Sequence, residues 1–461
     1  MTLRGKPLQY FVFCAGSFTA LLCGVHLGWP SPSLPQLLHN NSTIPLTNNE
    51  GSWVASILLI GGIFGAILSA LTLDVFGRKS MLIVTSLPLC VTWLMIAFAR
   101  SVWELYIARF LAGISDGIIF SCLPLYLAEI CDPKIRGVLI SGVTVVYLFG
   151  IFLANLVGAF LNVTAAALIF SILSLGAILF AVFIPESPQF YLMKGDVKSA
   201  KASMQRFNDT VNVDDIFEPI RNSLKEKEDS KGKWLQLFTD ASNRKSLGLI
   251  IGLRAFQQCT GIMGITFYVH TLFEETEEDV SPIVFVSIFF ILQIAVSIIN
   301  SAIIDKLGRK PLLITSMSMV VVALFIVSIY FTLENVSHVQ VDDFSWLPIF
   351  GLFLFIIGYT VALHNVPIVL SGEIFSLHIR AYAVGAMDIF YGLFSALVSK
   401  LFQYSKDEFG MHVPFIAFTI ISLCGLPFII FCVPETKRKT LEEIQDRLRS
   451  KPKSKSDTVR Q

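Results

Sequence analysis

Residues 305–310 are Asp-Lys-Leu-Gly-Arg-Lys, and residues 74–79 are Asp-Val-Phe-Gly-Arg-Lys. Each copy of this D-x-x-G-R-K motif directly follows a long apolar stretch, at matching places in the two halves of the chain. A single copy is equally well explained as a tight, basic turn between two helices. The second copy indicates that the halves arose by internal duplication.

Two further motif pairs support the duplication. The pattern Glu-Ile-x5-Arg begins at Glu129 and again at Glu373, and it ends at Arg136 and Arg380. Pro-Glu-Ser at 185–187 is likewise matched by Pro-Glu-Thr at 434–436. Duplicated halves are typical of secondary transporters, whose two bundles move around a site near the middle of the bilayer.

The apolar stretches outside these motifs predict membrane-spanning helices. A helix needs about 20 mostly apolar residues to cross a bilayer. Only 15% of the 461 residues are charged, against about 25% in soluble domains, which excludes an ordinary soluble enzyme. The predicted spans are 10–29, 52–73, 81–99, 103–127, 138–161, 164–184, 246–271, 281–304, 312–333, 346–370, 383–404 and 413–433.

These spans predict an all-α polytopic membrane protein with two six-helix bundles. The first bundle covers residues 1–184 and the second covers 246–433. A polar segment with short helices, 185–245, joins them, and a tail follows at 434–461. Both linker and tail are expected in the cytoplasm.

The basic residues predict the orientation. Lys and Arg concentrate in cytoplasmic loops, and 30 of the 35 fall on one side if both termini are cytoplasmic. The near-zero net charge of +1 gives no basic field for nucleic acid. We therefore expect a multi-pass protein of the cell membrane, with sugar chains on outward-facing sequons at Asn40, Asn41, Asn162 and Asn335.

Two further features of the sequence are the lack of catalytic or metal-binding motifs and a group of prolines after the first span. Neither a Cys/His cluster at metal spacing nor a phosphate-binding or nucleophile motif occurs in the sequence, so we expect no enzyme activity, metal or cofactor. Prolines at 30, 32 and 35 predict an extended lip after the first span, because proline interrupts helices.

Several motifs together resemble the sugar porter branch of the major facilitator superfamily, over nearly the whole chain. Besides both D-x-x-G-R-K loops, they are Arg109-Phe110, Pro185-Glu-Ser-Pro188, Gln257-Gln258-x-x-Gly261-Ile262 and Pro434-Glu-Thr-Lys437. Within that branch, the stretch 27–35 and Thr144 are most similar to the insect facilitated trehalose transporter group. The resemblance implies facilitative uniport of a hexose or trehalose by alternating access, with a monomer sufficient for function.

The duplicated charges are predicted to form an ionic network that closes the cytoplasmic side when the site faces outward. Because the contacts must open in each cycle, we expect surface-type ion pairs, worth about 0–1 kcal/mol each. The alternative is that these charges only anchor helix ends. The residues are Asp74, Arg78, Glu129, Arg136, Glu186, Asp305, Arg309, Glu373, Arg380 and Glu435.

Amides and hydroxyls inside the spans are the candidate sugar ligands, because they can bind a neutral polyol without burying a net charge. Gln257 and Gln258 lie side by side in the seventh span, and Gln293 and Thr144 occupy positions where similar proteins place polar sugar-binding groups. Tyr391 could supply a further hydroxyl. The alternative for each is a structural hydrogen bond between helices.

Three positions depart from the sugar porter pattern. Met263 and Ile368 stand where similar proteins carry Asn and Trp, and Tyr391-Gly392 stands where they carry Asn-Trp. These departures keep open a non-transporting sugar receptor or a degenerate paralogue.

Ionisable residues inside the spans are the candidates for coupling, because such groups are costly in a membrane and often functional. His26, Arg109, Asp116 and Asp388 are the residues concerned. His26 lies near the place where proton-coupled relatives keep an Asp opposite the Arg that matches Arg109. A proton-coupled symporter is therefore the alternative to uniport, and a buried, non-functional histidine is the alternative for His26.

Overall fold

The computed structural model describes residues 3–39, 42, 44–208, 236–274, 280–336, 344–375, 377–437, 439 and 443. Most of these residues lie in helices, and none of them lies in a strand. The predicted all-α fold is confirmed. We call the face that carries Gly77, Cys131 and Gly308 the inner face, following the predicted orientation, and the opposite face the outer face.

Among its described residues, the N-terminal half contains seven helices. They are α1 (Lys6–Gly28), α2 (Pro30–Leu38), α3 (Asn48–Phe76), α4 (Arg78–Phe98), α5 (Val102–Ile130), α6 (Pro133–Phe160) and α7 (Val163–Val182). Within this half α3 packs on α5, α1 on α6, and α4 on α7. The linker contributes the short helices α8 (Pro188–Met193), α9 (Val197–Phe207) and α10 (Gln236–Thr239).

The C-terminal half repeats this arrangement with two broken helices. Its elements are α11 (Ala241–Cys259), α12 (Ile262–Glu274), α13 (Pro282–Leu307), α14 (Arg309–Asn335), α15 (Trp346–Gly358), a π-helical turn (Tyr359–Leu363), α16 (Val366–Ile374), α17 (Leu377–Phe409) and α18 (His412–Cys432). The halves meet where α3 packs on α17, α6 on α13, and α2 on α12.

The seventh predicted span is two helices. Eleven helical segments among the described residues are long and apolar enough to cross a membrane unaided, and α11 with α12 supplies the twelfth crossing. The break falls at Gly261, whose φ of +86° leaves the helical region. A Cβ there would also strike the ring of Phe418. Only glycine fits this turn.

The exact boundaries of the two bundles, the linker and the tail stay a prediction.

The predicted extended lip after the first span is wrong. Pro30, Pro32 and Pro35 all lie within α2. Proline is tolerated in the first turn of a helix, where backbone N–H groups have no helical acceptor. Pro30 and Pro32 occupy that turn, so the chain continues as a helix after a bend at Trp29.

Glycines allow α3 and α5 to approach closely. A Cβ on Gly113 would overlap the Leu58 carbonyl of α3, and Gly61 and Gly65 of α3 make the reciprocal contacts with the α5 backbone. Small residues at such a contact stabilise helix pairs in membranes, because the backbones pack directly against each other.

We predict that Gly113→Ala lowers the free energy of unfolding in detergent by about 1–3 kcal/mol, the usual cost of overpacking. The matched control is Gly137→Ala in α6, where a Cβ meets nothing within 4 Å. That control should stabilise the helix by about 0.5–1 kcal/mol. Thermal melts that show equal effects for both variants would contradict the close α3–α5 contact.

Candidate functional site

A central cavity lies between the two halves, near the middle of the spanning helices. It contains about 930 Å³ of empty space, counting the part open to solvent. The lining residues come from α3, α5 and α6 on one side, and from α11, residues 364–368 and α17 on the other. The cavity therefore has one wall from each half.

The wall from the C-terminal half is built around Arg254. Its Nη1 donates to Gln257 Oε1 at 2.8 Å, and its guanidinium lies 5.0 Å from the ring centre of Tyr391. Gln257 Nε2 in turn donates to the Leu363 carbonyl at 2.7 Å and to the Tyr359 hydroxyl at 3.2 Å. This chain of contacts ties α11 to the π-helical turn and positions a polar surface facing the cavity.

The wall from the N-terminal half contains one acidic side chain, Asp116 on α5. Its Oδ1 is buried and has no hydrogen-bond partner among the described residues. Phe120, one turn further along α5, packs edge-to-face on Tyr147 with ring centres 4.8 Å apart. Thr144 of α6 completes this wall.

Three of the five predicted sugar ligands line the cavity: Thr144, Gln257 and Tyr391. Gln258 points elsewhere, with its Oε1 accepting a hydrogen bond from Ser395 at 2.9 Å. Gln293 is also buried outside the cavity lining. A sugar-binding role for all five stays a prediction, and Gln257 additionally makes the helix contacts of the structural alternative.

The three positions that depart from the sugar porter pattern have different locations. Ile368 lines the cavity and is 52% exposed. Tyr391-Gly392 also lines it, whereas Met263 is buried in α12. Two of the three departures therefore change the surface that a substrate would meet.

Arg109 is held by backbone carbonyls. Its Nε donates to the Val54 carbonyl at 3.0 Å, its Nη1 to the carbonyl of His26, and its Nη2 to that of Ala55 at 3.5 Å. The guanidinium also lies 5.4 Å from the ring centre of Trp29. These contacts join α5 to α1 and α3.

The His26 ring lies away from the cavity. It stacks on Trp93 with ring centres 3.9 Å apart, and its Nε2 is 3.2 Å from the Thr92 hydroxyl. Of the four predicted coupling residues, Asp116 and Asp388 line the cavity, while Arg109 and His26 do not. Their role in coupling stays a prediction.

At the inner face, a charged cluster joins helix ends within the N-terminal half. Arg78 Nη2 is 2.8 Å from Glu129 Oε1 and 3.2 Å from Asp74 Oδ1. Glu129 Oε2 accepts a hydrogen bond from the Ser187 hydroxyl. Glu186 accepts from the backbone N–H of Arg78 at 3.0 Å, which neutralises the positive end of α4.

The C-terminal half repeats this cluster. Arg309 Nη2 is 2.8 Å from Glu373 Oε1, and Glu373 Oε2 accepts from the Thr436 hydroxyl at 2.5 Å. Glu435 accepts from the backbone N–H of Arg309 at 3.1 Å. Burial acts to raise the pKa of the Glu435 carboxyl, but hydrogen bonds from Lys437, Arg309 and Lys310 N–H groups outweigh it and hold the pKa below its ordinary value.

The expectation that these are surface-type pairs is wrong for Arg78 and Glu129. Their side chains are only 1% and 3% exposed, because α5 and the segment after α7 cover them. Arg136 Nη2 donates to the Cys131 carbonyl at 3.3 Å. The side chains of Asp305 and Arg380 lie outside the described residues. Closure of the inner face by this network stays a prediction.

The outer face shows direct bonds between the halves. Lys400 of α17 donates from Nζ to Asn49 Oδ1 at 2.6 Å and to Ser52 Oγ at 2.5 Å, both on α3. Its ammonium lies 4.5 Å from the ring centre of Trp53. Ser56 Oγ donates to Ser399 Oγ at 3.4 Å. These contacts hold the outer ends of α3 and α17 together.

The predicted glycosylation sites are only partly described. Asn162 and Asn335 are exposed at the outer ends of α7 and α14, in agreement with the predicted orientation. Asn40 and Asn41 lie outside the described residues. Modification at all four sites stays a prediction.

Sequence reasoning did not single out His364 and Asn365, which line the cavity, or Lys400. The signal for the first two was present: a polar pair, separated from Pro367 only by Val366, in an otherwise apolar span. Lys400 carried a signal too, because it is a basic residue near the end of a span on the acidic side.

Comparison with known families assigns the chain. The model of the family described as sugar (and other) transporter matches residues 24–448. The chain belongs to this transporter family. This membership confirms the prediction that the chain is a multi-pass sugar porter. It also confirms that the protein is a transporter and not an enzyme.

Individual relatives agree with this family. The facilitated trehalose transporter Tret1 of Polypedilum vanderplanki is 30% identical over 446 residues, which cover 95% of this chain and 88% of that protein. Tret1 of Bombyx mori is 29% identical over 444 residues, covering 96% and 86%. These relatives match the predicted resemblance.

Solved structures of a xylose transporter share the fold. The inward-open conformation of the xylose transporter XylE from E. coli has a TM-score of 0.80 at 21% identity, covering 95% of this chain and 99% of that one. The proton:xylose symporter XylE bound to 6-bromo-6-deoxy-D-glucose has a TM-score of 0.76 at 21% identity, covering 96% and 100%. The predicted major facilitator fold is thereby confirmed.

We predict that Glu129→Gln destabilises the protein more than the equivalent Glu373→Gln. Removing one partner of a buried ion pair costs about 3–5 kcal/mol, and Arg78 is 1% exposed. Glu373 is 29% exposed, so water can solvate the Arg309 charge in its variant. Thermal unfolding in detergent measures the loss of stability of both variants. Equal shifts of the melting temperature would contradict the prediction that the buried ion pair of Arg78 costs more to break.

We predict that Lys400→Met loosens the outer contact. Hydrogen bonds to charged groups contribute about 1.5–3 kcal/mol, so local opening should increase about tenfold or more. Hydrogen exchange of backbone amides at the outer ends of α3 and α17 reports this opening. Glu408→Gln, which removes an exposed charge from the same end of α17, is the control and should leave exchange in α3 unaltered.

Proposed function

We propose that the protein transports a hexose or trehalose across the cell membrane by facilitative uniport. The observation that carries this proposal is the central cavity, whose two walls come from different halves and present amide and hydroxyl groups to one space. Such groups bind polyols by exchanging hydrogen bonds with water. The trehalose transporters among the relatives support trehalose as one substrate.

The positions of the contacts within and between the halves support alternating access. Arg78 with Glu129, and Arg309 with Glu373, join helices of the same half, so each half moves as a unit. The contacts of Lys400 join different halves at the outer face and are accessible to water. Exchange of these outer contacts for inner ones would expose the cavity to the opposite side.

The surroundings of Arg109 favour uniport. Its guanidinium donates to backbone carbonyls of α1 and α3, whereas proton-coupled relatives keep an Asp opposite the matching Arg. At that place His26 contributes its backbone carbonyl and turns its ring toward Trp93.

The proposal includes cytoplasmic termini and a functional monomer.

Proton-coupled symport is the second candidate, favoured by the carboxyl groups of Asp116 and Asp388 in the cavity. Uptake of labelled glucose and trehalose at pH 5.5 and 7.5, with and without a protonophore, separates the two. Uniport predicts no effect of the protonophore. Binding of sugar without uptake would instead indicate a receptor, the alternative raised by Ile368 and Tyr391.

We predict that Gln257→Ala reduces sugar uptake by proteoliposomes about tenfold or more, because a lost polar contact in a desolvated site costs about 1–3 kcal/mol. The matched control is Gln403→Ala, a buried glutamine on α17 that bonds to Asp407 outside the cavity. If Gln257→Ala transports as well as the parent protein, the assignment of the cavity is wrong.

A further inference from the structure

The charged groups of the cavity are paired. On the wall from the C-terminal half, Asp388 interacts electrostatically with Arg254. On the opposite wall, Asp116 interacts with Arg109 of the same helix. A carboxylate and a guanidinium compensate each other in an apolar membrane. These pairs therefore favour an uncharged substrate.

The uncharged polar groups are concentrated on the wall from the C-terminal half. His364 and Asn365 line the cavity there and are partly exposed, and Gln257 lies on the same wall. Imidazole and amide groups can both donate and accept hydrogen bonds. This wall is therefore suited to the hydroxyl groups of a sugar ring.

The wall from the N-terminal half contains an apolar face of α3. Four residues whose spacing places them on one side of the helix line the cavity: Leu59, Gly62, Ile63 and Ala66. None of them has a side chain that can donate or accept a hydrogen bond. The polar lining residues of this half, Asp116, Thr144 and Tyr147, all come from α5 and α6.

Two residues of α5 extend this apolar face. Gly117 packs directly against α3, because a Cβ on it would overlap the Gly62 carbonyl. Phe120, one turn further along α5, lines the cavity and is 39% exposed. We call these six residues the apolar strip: Leu59, Gly62, Ile63, Ala66, Gly117 and Phe120. A Cβ on Gly62 would meet no atom closer than 3.8 Å, so open space adjoins the strip there.

The two walls make different demands on a ligand. A free hexose carries hydroxyl groups around its whole ring, and those turned toward the apolar strip would lose hydrogen bonds to water without replacement. That loss weakens binding. An apolar group in the same place would instead gain from leaving water.

We propose that the cavity takes neutral glycosides with an apolar aglycone as substrates in preference to free hexoses. The sugar ring lies at the wall of His364 and Asn365, and the aglycone covers the apolar strip. This inference rests on the proposed function and narrows its substrate class. Trehalose is the informative contrast, because a second sugar ring takes the place of the aglycone and turns hydroxyl groups toward the strip.

The test is binding to the full-length protein in lipid nanodiscs, without alkyl glycoside detergents, which themselves carry an apolar aglycone. Isothermal titration compares phenyl α-D-glucopyranoside with methyl α-D-glucopyranoside and with trehalose, all of which are α-linked glucosides. We expect the phenyl glucoside to bind about tenfold tighter than either, and a tenfold step corresponds to about 1.4 kcal/mol. Equal binding of the three glucosides would overturn the inference, as would equally tight binding of phenol alone.

Two chemically identical changes assign the preference to the strip. Phe120→Ala removes the most exposed ring of the strip and should reduce the preference for the phenyl glucoside to about threefold or less. Phe149→Ala removes a similarly exposed ring, 45%, from α6 outside the cavity lining and should leave the preference unaltered. Equal effects of both variants would contradict an aglycone on the strip. If Phe120→Ala does not fold, the comparison of the three glucosides with the parent protein decides the question.

Uptake by proteoliposomes, relative to protein-free liposomes, separates this inference from the proposed function. Uptake of labelled phenyl glucoside with a lower KM than that of glucose supports it. Uptake of glucose with no preference for the phenyl glucoside refutes the aglycone site and leaves sugar transport standing. Tight binding of the phenyl glucoside without its uptake also refutes it as a substrate. Neither uptake nor binding of any sugar refutes both.

Discussion

A charge inside an apolar bilayer must have a partner supplied by the protein, and this constraint accounts for the placement of each buried ionic group in the chain. Arg78 and Arg309 meet Glu129 and Glu373 at the inner face. Arg109 meets three backbone carbonyls. Asp116 interacts electrostatically with Arg109 and borders the central cavity.

The duplicated clusters join helix ends within each half. In each, one carboxylate binds a guanidinium and a hydroxyl, and a second carboxylate caps the helix that carries the guanidinium. Because these bonds stay inside one half, they are not required to break when the halves move. At the outer face, Lys400 and Ser399 join α17 to α3; the bond from Lys400 to Asn49 is exposed, whereas the bond between Ser56 and Ser399 is buried.

Much of the fold was predictable, because apolar length and repeated motifs are directly visible in a sequence. The break at Gly261 was not, since it depends on the ring of Phe418 from a distant helix. The sequence could not rank Gln257 over Gln258 either. Neighbouring helical residues point about 100° apart, so only one of them faces the cavity. The burial of Arg78 likewise depends on α5 and the linker, which the motif alone does not show.

We propose that one cavity binds a sugar and is exposed to each side of the membrane in turn. Entrance counterflow tests it directly: proteoliposomes loaded with unlabelled sugar and diluted into trace labelled sugar, at equal pH on both sides. Facilitative uniport predicts a transient accumulation of label above its equilibrium level, because the loaded carrier exchanges substrate without an ion gradient. Label that rises only to equilibrium, or does not enter at all, would contradict a facilitative carrier.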